Sequence, residues 1–380
     1  MEAPTVRPAP GDGPGASLAA PSSLSLEEYA PRSELVVGVS DLTTPRFAVI
    51  DAHNHLGVEF GGGWADRSVA ELLDVLDEAN VACLVDLDGG WGEDVLDQRL
   101  AKFKAAAPER FACFGGVDWA AWPGLGNRFP AWAADRLVAQ VRRGAQGLKV
   151  WKPFGLRVVD ERSERVAVDD RRLDELWATA GELRVPVVIH VADPVAFFRP
   201  LDRYNERYEL LRENPDWHVA GPGFPSFDTV ISELASLVSR HPGTVFVGAH
   251  VGCYAENLSW VSALLDRCPN FHVDIAGRLD ELARQPYTAQ RFFLRHADRI
   301  LFGLDFPADA ATYRTSYRFL ETDDEHFEGQ RPDRPGMSWR LTGLHLPDDV
   351  LAKVYSRNAT RVLGLPAGDV TGRPAGSPGS

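Results

Sequence analysis

Cysteine is scarce: Cys83, Cys113, Cys253 and Cys268 are the only four in 380 residues. They show no CxxC or other paired ligand spacing, which excludes a zinc ribbon and a disulfide framework and implies reduced thiols. Long apolar runs are missing too, since no stretch reaches the ~18 residues of a membrane span. Near the N-terminus no basic flank precedes an unbroken apolar segment, so no targeting segment is expected. Positive charge is short: 40 Lys and Arg against 54 Asp and Glu give a net −14. That sign opposes a nucleic-acid backbone or an anionic membrane surface as partner. The expectation is a cytoplasmic protein acting on a small molecule.

What is present is enough apolar material, 44% of the chain, for one large core with additions. Residues 1–24 are dominated by Pro, Gly, Ala and Ser and cannot bury enough area to offset chain entropy, so they are expected to be a disordered tail. Residues 366–380 read the same way. Between them, 25–365 is expected to be one catalytic domain, opening on a lead-in whose Leu35, Val36, Val37 and Val39 lie against it.

Short apolar runs alternate with longer helical-period segments through this domain, the pattern of βα units and a parallel sheet. Eight strands are predicted: FAVIDAH (47–53), ACLVDLD (82–88), ACFGGVD (112–118), QGLKVW (146–151), PVVIHV (186–191), TVFVGAH (244–250), NFHVDIA (270–276) and RILFGLD (299–305). Amphipathic stretches follow, among them 68–80, 170–183 and 257–268. The reading is a (β/α)8 TIM barrel with an insert after strand 5, roughly 193–228. A C-terminal helical extension ends in a helix over 347–364. An insert of that length beside a site points to a lid or an interface, and its aromatics leave a homo-oligomer open.

Chemically capable residues recur where the predicted strands end: His53, His55, Asp88, Asp118, Lys149, His190, His250, Asp274 and Asp305. Barrel enzymes build their sites on that face. In Asp51-Ala-His53-Asn-His55, residues two apart share a side of the strand, so both imidazoles can aim at one point. Neutral imidazole is a common ligand of divalent transition metals. Taken singly, each histidine could equally be a solvated or a core residue. The gathering of all of them with Asp305, whose strand neighbours the first in a closed barrel, favours one site.

DAHNH on the first strand, IHVADP on the fifth, GAHVG on the sixth and FGLDFP on the eighth resemble the amidohydrolase superfamily, over about 47–365. The resemblance is to its amidohydrolase 2 branch, the aminocarboxymuconate semialdehyde decarboxylase-like metal-dependent hydrolases. It implies one divalent metal ion, zinc first with manganese or iron as alternatives, held by His53, His55, His190 and Asp305. It implies His250 as the acid–base residue. Such a donor set leaves a position for water, whose pKa a zinc-like ion lowers to roughly 7. Asp305 can take the water's proton and pass it on, while His250 polarises or orients the substrate.

Lys149 matches the position where some superfamily members carry a carboxylated lysine bridging two metals. A second metal, a substrate-carboxylate contact and a structural ion pair all stay open for it, as for Lys152 with less support. Arg278 could meet an anionic substrate bidentately or form a surface ion pair. Asp274 could hold Arg278 or a ligand histidine. Trp151, Phe197, Phe198, Tyr204 and Trp217 are either pocket walls or core.

The expected activity is metal-dependent hydrolysis of an amide, lactone or ester bond in a small carboxylate-bearing substrate. A non-oxidative decarboxylase on the same site is the alternative, and a ligand-binding barrel without turnover is the third reading. His241 and His296 are expected on the opposite face, and His218, His326 and His345 away from any site. His272 could face either way.

Overall fold

The computed structural model describes residues 25, 32–57, 62–330 and 339–365; both expected tails, 1–24 and 366–380, lie outside the described residues. The chain divides after Val37. Described residues before that point form no regular element.

Among the described residues nine parallel strands form the barrel sheets in sequence: β1 (Val49–Asn54), β2 (Val81–Asp86), β3 (Phe111–Cys113), β4 (Gly115–Gly116), β5 (Leu148–Val150), β6 (Val187–Ile189), β7 (Phe246–Gly248), β8 (Phe271–Asp274) and β9 (Ile300–Leu301). Each neighbouring pair is parallel, in one run β1–β3 and a second run β4–β9. β3 and β4 are halves of the single predicted third strand. They are separated at Phe114, and the Gln140 side-chain amide bonds the β4 backbone at Gly116, accepting from its N–H at 3.1 Å and donating to its carbonyl at 2.8 Å. The first and last strands meet through Ala52 N donating to Phe302 O at 2.9 Å and Asp305 N donating to His53 O at 2.9 Å. This is the (β/α)8 barrel.

Helices form where the amphipathic stretches are capped. Ser68 accepts from Ala70 N ahead of Val69–Glu78, Ser226 from Thr229 N ahead of Phe227–Arg240, and Asn257 from Trp260 N ahead of Leu258–Arg267, each satisfying an amide the helix leaves orphaned. Their apolar stripes pack on the outer face of the barrel, with Phe103, Trp177 and Phe292 in the largest core cluster.

A second cluster fills the barrel itself: Ile50, Ala52, Val85, Val188, Val247 and Leu301, joined by Ala359, Val362, Leu363 and Leu365 of the chain's last helical segment. That segment runs Asp348–Ala352, a π turn Lys353–Arg357, then Asn358–Leu363. The wider turn leaves the Val354 carbonyl to accept from Phe302 N at 2.9 Å. It plugs the barrel against the starts of the strands.

The lead-in is tied down differently from the expectation. Val39 is exposed. Polar anchors replace apolar packing: Ser40 N and Oγ donate to Asp324, and Arg46 N donates to Glu321. The insert after β6 folds into helical turns at Val195–Phe198 and Pro215–Trp217 around the helix Tyr208–Glu213. Among the described residues no helix is long and apolar enough to cross a membrane.

Candidate metal centre

Strand period brings the site together. Val188, Val247 and Leu301 point into the barrel core, while Leu148, Val150, Val187, Ile189, Phe271 and Val273 pack outside it. Counting in twos from these positions places Lys149, His190, Asp274 and Asp305 on the inner side, above the packed layer. On β1 the pairing register shifts between Asp51 and Asn54, which lets His53 and His55 join them although Ile50 and Ala52 face in below.

Asp305 is the hub. Its Oδ1 lies 3.5 Å from His55 Nε2 and 3.9 Å from His53 Nε2, and its Oδ2 lies 3.7 Å from His250 Nε2. Each imidazole is fixed from behind. His53 Nδ1 is 2.8 Å from Asp274 Oδ2, His55 Nδ1 is 2.9 Å from Asp88 Oδ1, and His250 Nδ1 is 2.7 Å from the Ala276 carbonyl. A carbonyl only accepts, so Nδ1 of His250 carries the proton and Nε2 of the neutral ring is an acceptor. The carboxylates dictate the same tautomer for the other two.

The result is three nitrogen lone pairs aimed at one carboxylate. That arrangement is repulsive on its own, and a cation between them resolves it; a divalent ion fits this donor set. Burial pushes His53 and His250 well below their ordinary range, with Lys149 opposing a charge on His53 and His190 opposing one on His250. Burial also brings His190 down to about 4. All three are therefore held neutral, as ligation requires. The tightest grouping among the described residues is His53, His250 and Asp305, whose offered atoms lie within 4.8 Å of one another.

His190 is set beside this group, its ring centroid 4.3 Å from that of His250. Neither of its nitrogens has a hydrogen-bond partner among the described residues. Asp193 Oδ1 stands 3.5 Å from Nε2, long for a hydrogen bond. Such an orphaned buried imidazole fits a ligand role better than a packing role.

The backbone is strained at the two groups nearest the chemistry. Asp305 (φ 53°) and the run His250 (58°), Val251 (60°) and Cys253 (62°) are left-handed without being glycine, at about 1–3 kcal/mol each. They are held in place by surrounding bonds, among them His250 N to Asp274 Oδ1 at 2.8 Å. Gly303 permits the close approach of β9 to β1: a Cβ there would stand 2.8 Å from His53 Cβ.

Above the hub opens a cavity of about 170 Å³, walled by Trp151, Phe197, Trp217, Phe306 and Arg278, with His190, His250 and Asp305 on its floor. Of the other predicted wall residues, Phe198 packs on Phe227 and Tyr204 is exposed. Lys152 pairs with Asp193 at 2.7 Å. Burial would raise Asp193, but Lys152 and His190 bring it below the ordinary carboxylate range. Lys149 is 1% exposed and off the cavity wall. Asp274 holds His53 and not Arg278, whose guanidinium donates only to the Gly277 carbonyl and has no carboxylate within 4.0 Å among the described residues.

Two contributors escaped the sequence reading. Asp88 was visible as a strand-end acid but not as the partner of His55. Arg207, buried in the insert and pairing with Asp280 at 3.1 Å and with Glu281, had no local signal. His241 bonds Asp174, and His272 is buried near Arg299 and Arg361, both away from the centre.

The family model described as amidohydrolase matches residues 50–365. No curated protein sequence matches the chain. Among solved structures, similarity is found to 2,6-dihydroxybenzoate decarboxylase complexed with 2,6-dihydroxybenzoate, at 17% identity and TM-score 0.52, covering 84% of this chain and 99% of that one. It extends to an amidohydrolase from Burkholderia multivorans with bound HEPES, at 14% and 0.49, covering 84% and 100%. It also extends to 5-carboxyvanillate decarboxylase from Novosphingobium aromaticivorans, complexed with manganese, at 14% and 0.46, covering 78% and 80%. The first of these supports the barrel fold. With the family match spanning most of its length, the chain belongs to the amidohydrolase family and is an enzyme of that superfamily.

Proposed function

We propose that this chain is a metal-dependent hydrolase cleaving an amide, lactone or ester bond in a small substrate that carries a carboxylate. The observation that carries the reading is the convergence of three back-tethered imidazole Nε2 atoms on Asp305. A divalent ion held by His53, His55, His190 and Asp305 would supply Lewis acidity at the cavity floor, and zinc, manganese and iron all accept such donors.

The protein's own groups then divide the work. Asp305, 21% exposed where the histidines are buried, faces the cavity and can take a proton from an attacking water and return it to the leaving group. His250 starts as a proton acceptor, because its one proton is committed to Ala276. Once protonated at Nε2 it can donate to a substrate oxygen. Burial of the whole group excludes bulk water and strengthens each of these contacts.

The cavity selects the substrate. Its volume compares with the ~150 Å³ that admits benzene, so one ring and its substituents fit between Trp151, Trp217, Phe197 and Phe306. Arg278, a wall cation with no carboxylate within 4.0 Å among the described residues, matches a carboxylate. Decarboxylation is the second reading. It is favoured by the place of Arg278 directly after Gly277, whose Cβ position is 3.6 Å from Asp305 Oδ2, so a clamped carboxylate would sit close to the reacting centre. The substrate of the similar fold, 2,6-dihydroxybenzoate, is a one-ring carboxylate of the size this cavity admits.

A panel of lactones, amides, esters and one-ring carboxylates, assayed with carbon dioxide trapped separately, tests the proposal. Ring opening or acid release without carbon dioxide is expected. Carbon dioxide as the sole product would replace it with the second reading.

A further inference from the structure

Lys149 is the charged side chain nearest the histidines that the proposed chemistry leaves unused. Its stem is fixed: β5 places it between Gly116 and Val188 in register. A Cβ at Gly90 would meet Lys149 Cγ at 3.0 Å and Lys149 Cβ at 3.3 Å, so the turn after β2 closes on the stem. The amine ends 3.2 Å from His53 Nε2 and 5.8 Å from the centre of the Trp151 ring. The Nδ1 proton of His53 is given to Asp274, which leaves Nε2 as the one acceptor on that ring, and the Lys149 amine donates into it.

An ion bound through His53 needs that same lone pair, which cannot serve both. We infer that Lys149 is a resident competitor of the metal. It occupies His53 Nε2 while no ion is bound and swings off it when one arrives. This rests on the reading of His53 as a ligand. Besides satisfying Nε2, the amine places positive charge among groups that otherwise present lone pairs and carboxylates to one another, so it holds them together at a cost in metal affinity.

A bridging carbamate on the same lysine does not fit this conformation. It would set a carbon, an oxygen and an ion between Nζ and Nε2, and a metal–imidazole bond alone takes about 2 Å of the 3.2 Å available.

Competition titration of Zn2+ against a chelator, with melting of the metal-free protein followed in parallel, tests the inference on Lys149→Met and Lys149→Gln. Zinc should bind Lys149→Met about tenfold to a hundredfold more tightly than wild type, the range of a charge-assisted hydrogen bond that need no longer be broken. Its metal-free form should melt lower. Lys149→Gln keeps an N–H donor without the charge, and should bind zinc more tightly while losing less of the metal-free stability. Unchanged or weaker binding in Lys149→Met, or a fall from two ions to one, overturns the inference.

Should neither variant fold, native mass spectrometry of zinc-loaded wild type decides. One ion and an unmodified Lys149 are expected, and a carbon dioxide adduct on that residue refutes the role. A wild type that takes up no zinc removes the proposed function together with the inference, whereas a wild type that binds and variants that bind no better remove the inference alone.

Discussion

His250 carries the sharpest distinction between ligand and acid–base group, because it belongs to the tightest cluster and yet keeps its Nδ1 on Ala276. In His250→Asn we expect metal content to stay and turnover to fall by about a hundredfold or more, the scale of a lost general base. Metal leaving with activity would make it a ligand. Asp274 is the complementary case, since one carboxylate holds His53 Nδ1, His250 N and Ala276 N. Asp274→Asn should weaken metal binding by about tenfold to a hundredfold, as outer partners of ligands commonly do. A chelator titration showing unchanged affinity would contradict the tethering role.

The insert after β6 is the element that makes this barrel's cavity its own, supplying Phe197, Arg207, Leu210 and Trp217 to the wall. Arg207 ties it to the segment after β8 through Asp280 and Glu281. Arg207→Met would take from two buried acids the cation they pair with directly, at about 3–5 kcal/mol. We expect limited proteolysis to cut first within the insert and KM to rise with metal content unchanged; a variant as resistant as wild type would show the tie to be dispensable.

How far such elements were legible follows from what each signal depends on. The barrel was readable because eight apolar runs repeat with amphipathic stretches between them, and His53, His55, His190 and Asp305 because strand ends share one face. Asp274 was readable as able to hold a ligand histidine, as it does His53, but the pairing of Asp88 with His55 and of Arg207 with the acids after β8 depends on which side chains meet across the barrel mouth, which no local pattern encodes. The contact of Gln140 with β4 was hidden for the same reason, since it reaches Gly116 from a helix. The apolar pattern misled at Val39, which is exposed, while Ser40 and Arg46 make the anchoring bonds.

At the scale of the whole molecule, the barrel buries imidazoles outside the centre as well as in it. Burial takes His272 from its ordinary 6.5 to about 3, with Arg299 and Arg361 opposing its charge further. Between those values the unfolded chain binds a proton that the native state refuses. This group's contribution is therefore whole above 6.5 and declines as pH falls toward 3. Urea unfolding at about pH 7 and about pH 5 should show a smaller acid loss in His272→Gln than in wild type, and equal losses would assign the acid sensitivity elsewhere.

Every functional statement about this protein depends on an ion at the barrel mouth, and elemental analysis reads that directly. Wild type reconstituted with zinc, manganese or iron and then dialysed should retain about one equivalent of one of them, and Asp305→Ala well under half of that. Folded wild type that holds less than about half an equivalent of each, or that holds no more than Asp305→Ala, would contradict the account.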